Sequence, residues 1–274
     1  MKSRELRASL PSLLWLLVFV AIPTLLVCYI AFKPATSNGG IAAGWSLSAF
    51  KTLADPFFPT IIARTVVIAL ITTAACLLLA LPVAWTMARA SASAKNWLLL
   101  LVVVPFWTNF LIRVFAWKQI LHTEGPLAML LRNMHLLEAN AMLLYHPATV
   151  IVVSIYSFLP FAILPLYATA EKFDFTLLDA ARDLGASRAR ALRQVFLPGI
   201  RRGISTAAIV VFIPMLGSYI IPDLVGGKES EMIGNKIAQR NFNDRNLPQA
   251  AAISAALTLA VLLPFAIRRR TRSD

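Results

Sequence analysis

Asp179, Ala180 and Ala181 open the stretch DAARDLGASRARALRQVFLP, followed at fixed intervals by Gly185, Val195, Leu197 and Pro198. A carboxylate next to small apolar residues, and a glycine inside a helical pattern, provide recognition chemistry: an ion pair, a flat face and a corner. Leu177, Leu178, Ala181 and Leu184 form one helical stripe, and Ala189, Leu192, Val195 and Phe196 form a second. Gly185 between them has the place of a glycine just past a helix end. Pro198 is expected in the first turn of the following helix, where its missing N–H costs nothing. The segment 171–202 therefore reads as two short helices joined at a glycine, able to seat in a groove of another protein.

Other residues could contact a solute. Trp107 and Asn109 fall mid-way along an apolar stretch. Tyr156 lies in the next one, and Tyr219 and Asp223 at the end of a later one. Aromatic faces, an amide and a carboxylate are groups that a solute could meet along a path. Catalytic or metal chemistry finds no support. His122, His135 and His146 have no metal-ligand spacing, and no G-x-x-x-x-G-K-[ST] phosphate cradle occurs. The string GGKES at 226–230 reads as a turn. Cys28 and Cys76 both sit in apolar runs, as small hydrophobes do.

The elements that position these residues are apolar. The chain is 58% hydrophobic and 14% charged, far from the soluble average of about 25% charged. A crossing helix needs about 20 apolar residues. Six stretches qualify, roughly 10–32, 65–87, 97–116, 147–170, 203–222 and 248–267, giving an all-α integral membrane fold with one membrane domain over 1–274. The net charge of +13 is spread between these stretches rather than gathered on one face, which argues against nucleic acid. With the N-terminus in the cytoplasm, the inner segments hold 16 Lys/Arg in 56 residues and the outer ones 10 in 90. The denser set belongs inside. Both termini and 171–202 are thus expected to be cytoplasmic.

The 179–198 pattern resembles the EAA loop of permease subunits in ATP-binding-cassette importers: Glu-Ala-Ala, three residues, Gly, nine residues, then Ile-x-Leu-Pro. Every gap is kept here, with Asp179 for Glu and Val195 for Ile. VPFWTNFLIRVFAWKQIL at 104–121, LPFAILPLYATAEKFD at 159–174, and PDLVGG with MIGNKI in 222–237 are similar to spermidine/putrescine permeases. The resemblance implies the type I importer permease fold in a bacterial cytoplasmic membrane. Asp179, Ala180, Ala181, Gly185, Leu197 and Pro198 would then couple to an ATPase. It also implies partners: a second permease subunit forming a heterodimer, two copies of a cytoplasmic ATPase, and an extracytoplasmic solute-binding protein. This chain would bind no cofactor, ATP–Mg being used by the ATPase. The implied cargo is a polyamine, with aminoalkylphosphonates or opine-like compounds as alternatives. A self-sufficient channel or secondary carrier is the rival class. No internal repeat or deep charge of the kind carriers show is evident.

Overall fold

The computed structural model describes residues 2–36, 39–138 and 141–270, with side chains placed for 9–36, 39–138 and 141–263. Among these residues the regular structure is helical, joined by loops, apart from one isolated bridge between Ala35 and Ile41. The last four residues of the basic tail lie outside the described set.

In chain order, α1 (Lys2–Leu16) passes through a π turn into α2 (Ile22–Ala31), followed by α3 (Phe58–Arg89) and α4 (Ala92–Val103). Next come α5 (Phe110–Leu121), α6 (Pro126–Asn133) and α7 (Pro147–Ala170). The polar insert contains α8 (Thr176–Asp183), α9 (Arg188–Ala191) and α10 (Leu197–Gly199). Then follow α11 (Arg201–Leu216), α12 (Ile220–Val225), α13 (Ile233–Ala238) and α14 (Leu247–Arg270). Among the described residues, three helices, Ser9–Ala31, Phe58–Arg89 and Pro147–Ala170, are each long and apolar enough to cross a membrane.

Two of the expected apolar spans are broken rather than continuous helices. Within 97–116 the helical runs Ala92–Trp107 and Phe110–Asn133 meet at 89°. Pro105 lies in a short 3-10 turn, Val104–Trp107, and Thr108 is extended. Asn109 then caps α5, its side-chain Oδ1 accepting from Leu111 N at 2.8 Å. A proline followed by a capping residue restarts a helix rather than continuing one. The stretch 203–222 likewise ends its helix at Leu216, and Tyr219 opens α12.

The chain forms two compact units. In the first, small residues of α2 and α14 pack together: Ala31 against Ala251, Ala252 and Ala255, with Ala49. The second, residues 63–232, is centred on α3, α7 and α11. Its core mixes Cys76, Ala80, Ala84 and Met87 with Ala162, Leu166, Ala170, Ala207 and Val211. Small residues let helices approach closely where lipid offers no hydrophobic drive. Gly203 shows this most clearly, because a Cβ there would overlap Thr169.

Candidate functional site

The polar insert begins where α7 ends. Glu171 caps α7, and its Oε1 accepts from Tyr167 Oη at 2.7 Å and from Lys95 Nζ at 3.2 Å. Those two hydrogen bonds, Tyr167 first, hold the Glu171 carboxyl below its usual range. The contact is present above the ordinary glutamate value of about 4.3. It is lost only as pH falls through the lowered value. At Asp174 the Thr176 hydroxyl, donating at 2.7 Å, and the Thr176 N–H, at 3.0 Å, likewise depress the carboxyl. This local turn launches α8.

The end of α8 follows the sequence expectation closely. Gly185 has φ +86. Its N–H donates to Arg182 O at 2.9 Å, and Ala186 N–H donates to Ala181 O at 3.0 Å. This is the paired hydrogen-bond pattern of a Schellman ending, which satisfies carbonyls the helix leaves open. Ser187 then caps α9 by accepting from Arg190 N. The corner is thus built from Ala181, Gly185, Ala186 and Ser187.

Pro198 differs from expectation. It lies within α10, at the end of the second short helix, and not in the first turn of the next span. A π turn, Leu192–Phe196, precedes it. Proline lacks an N–H and crowds the carbonyl four residues back, which accounts for the widened turn. The chain then bends by 69° into α11. Leu197 is half-buried against the unit's core.

The two apolar stripes are also divided. Leu178, Ala191 and Phe196 are buried and Ala181 and Val195 half-buried, but Leu177, Ala189 and Leu192 are exposed. Leu184 is 90% exposed. The inner side is already filled by aromatic rings, of which the stripes contained only Phe196. Trp85 of α3 packs edge-on against Phe196 at 4.6 Å and Phe175 at 5.4 Å, and Phe173 meets Phe196 at 5.2 Å. Arg89 lies over Trp85 and Phe175. Each such ring pair adds about 0.5–1.5 kcal/mol beyond area burial, so the insert is anchored while its leucines face outward.

Asp179 and Ala180 are exposed. Asp179 reaches Arg182 at 3.7 Å, with both side chains largely exposed. Such a surface pair contributes little and leaves the carboxylate open to another partner. Trp85, Arg89, Leu178, Asp179, Arg182 and Leu192 line a cleft of about 490 Å³ beside it.

The candidate solute contacts sit on separate elements. Trp107 is at the corner between α4 and α5 and is 76% exposed, so packing inside this chain does not account for it. Asn109 spends its side chain on the α5 cap. Tyr156 of α7 meets Trp117 of α5 edge-on at 5.3 Å. α12, which carries Asp223 just after Tyr219, packs on α5. Asp223 is exposed, and no cation lies within 4 Å of it among the described residues, Lys228 included. Trp117 and Arg113, the latter over Phe106 at 5.3 Å, extend this region beyond the residues singled out in the sequence. His122 serves locally, its Nδ1 accepting from Glu124 N.

A family model described as binding-protein-dependent transport system inner membrane component matches residues 69–270. The chain belongs to this family. It is 35% identical over 247 residues to the spermidine/putrescine transport system permease protein PotB of Escherichia coli K12, covering 90% of each chain. PotB of Haemophilus influenzae is 36% identical over 259 residues, covering 94% of this chain and 91% of the relative. The inner membrane ABC transporter permease protein YdcU of Escherichia coli K12 is 32% identical over 237 residues, covering 82% and 75%. Among solved structures, a bacterial ABC transporter involved in the import of the acidic polysaccharide alginate superposes with TM-score 0.66 at 15% identity, over 98% of this chain and 97% of that one. The same kind of transporter bound to its alginate pentasaccharide-loaded periplasmic protein gives TM-score 0.67 at 16% identity, over 95% and 94%. These likenesses carry the fold: an all-helical ABC importer permease. Its family makes it a membrane component of a transport system in the inner membrane.

Proposed function

We propose that this chain is one of two permease subunits of an ATP-driven importer and that 171–202 is its coupling segment. An apolar, exposed surface on a rigid, well-capped corner carries this reading: Leu177, Leu184 and Leu192 flank Asp179 while aromatic rings anchor the opposite side. Exposed leucines on an anchored corner suit a groove in a partner. In this reading the partner is a cytoplasmic ATPase present in two copies, which binds ATP–Mg. An extracytoplasmic binding protein delivers the solute. Six spans cross the bilayer, the two bent apolar pairs and α14 completing the set, with both termini inside. Reporter fusions after Ser93 and Arg190 are expected to read as cytoplasmic, and fusions after Asn133 and Asn241 as external. An external signal at Arg190 would exclude coupling.

The cargo we assign is a polyamine such as putrescine or spermidine. Support comes from the spermidine/putrescine permeases to which most of the chain is similar. The unpaired Asp223 carboxylate, on α12 against α5, and the aromatic Tyr156–Trp117 pair add to it. Asp223→Asn should lower spermidine uptake at limiting concentration several-fold with assembly intact, since a partly screened contact is worth about 1 kcal/mol. Asp223→Glu should be milder. A thermal-shift panel on the cognate binding protein tests the class directly. Stabilisation by spermidine supports it, and stabilisation only by an aminoalkylphosphonate or opine contradicts it.

A further inference from the structure

We propose that Lys95 and Glu171 form a strut through which movement of the coupling segment reaches the corner between α4 and α5. The proposal rests on the coupling reading above. Glu171 is the first residue of the polar insert, and Lys95 lies one turn inside α4. Their 3.2 Å contact is the one polar side-chain tie from α4 to another element among the described residues. α4 is otherwise held weakly. It has no fully buried residue, and Leu98, Leu99 and Val102 only half-pack on the core.

The far end of α4 is hinge-like. Thr108 (φ −88, ψ 146) and Asn109 (φ −59, ψ 135) leave helical geometry between two helices set at 89°. A few residues of this kind absorb the backbone change in a domain or segment rotation. Beyond the hinge, α5 packs on α12, the element carrying Asp223. The route therefore runs from the insert to Glu171, through Lys95 to α4, round the 104–109 corner, and along α5 to α12. Tyr167 donates to the same Glu171 oxygen. It fixes the carboxylate against α7, so the load is borne by a group held from two sides. Lys95 and Glu171 are positioning residues in this account and touch no solute.

The test uses the assembled complex in proteoliposomes, with Cys28 and Cys76 replaced by alanine and a bimane fluorophore on Ile112→Cys, an exposed site just past the corner. The readout is the fluorescence change on trapping with ATP and vanadate, which needs no knowledge of the cargo. Lys95→Met and Glu171→Gln should each reduce that change about threefold or more, with the ATPase still copurifying. Lys95→Arg should match the unsubstituted complex. The exchange Lys95→Glu/Glu171→Lys should recover more than half of the signal, which a merely structural role would not predict. A full signal in both single variants, an exchange as impaired as they are, loss of the ATPase from them, or no signal in the parent would each overturn the strut. Ala181→Glu separates the two readings: normal ATPase retention and a normal signal in that variant would remove the coupling assignment itself.

Discussion

Gly203→Val is expected to prevent stable folding of the 63–232 unit. α7 and α11 form its most extensively packed helix pair among the described residues. A Cβ at Gly203 would overlap the Thr169 hydroxyl and sit 2.7 Å from its Cβ and 3.0 Å from Pro165 O. Thr169 cannot swing aside cheaply, because its hydroxyl donates to Pro165 O at 2.7 Å. The helices must separate, loosening Leu166, Ala170, Ala207 and Val211 together. Overpacking costs about 1–3 kcal/mol at ordinary core sites, and a backbone contact places this one at the upper end or beyond. Gly203→Ala should be intermediate. Fluorescence-detected size exclusion and the melting midpoint of the detergent-solubilised protein check this; a wild-type midpoint for Gly203→Val contradicts it.

Gly185→Val should leave insertion and span packing intact yet lower uptake about tenfold. Beyond its own chain neighbours, nothing described lies within 4 Å of where a Cβ at Gly185 would sit, so crowding is not the problem. The cost is conformational: φ +86 is left-handed, which a β-branched residue pays about 1–2 kcal/mol to adopt. Relief of that strain breaks the Ala186-to-Ala181 hydrogen bond and re-aims Leu184 and α9. Gly185→Asn, which tolerates this region, should retain most activity. Uptake measured at equal membrane expression separates the two variants, and equal activity in both would remove the corner from the account.

The corner was legible because a glycine between two apolar helical stripes marks a helix end. Which side of each stripe faces inward was not. Leu177 and Leu184 share spacing with Ala181, and only the Trp85, Phe173, Phe175 and Phe196 rings decide that the leucines turn outward. Trp85 comes from α3, far away in the sequence, and Phe173 and Phe175 precede the two stripes, so periodicity within the stripes carries no information about how these rings meet Phe196. The break at 104–109 left a local signal, Pro105 followed by the capping Asn109, but continuous hydropathy outweighed it. The Lys95–Glu171 contact joins residues whose charges looked like ordinary membrane-edge residues. Apolar composition gave the helical membrane class directly, since it depends on totals rather than on partners.

ATP hydrolysis by the reconstituted complex, stimulated by spermidine-loaded binding protein, tests the coupling claim most directly. Asp179→Lys reverses an exposed charge and leaves the backbone alone, and Ala181→Glu puts a charge on the half-buried side of α8. With membrane insertion unchanged, the account predicts that both, together with Gly185→Val, lose stimulation and ATPase retention in parallel with uptake. Wild-type stimulation, retention and transport in all three variants would contradict it.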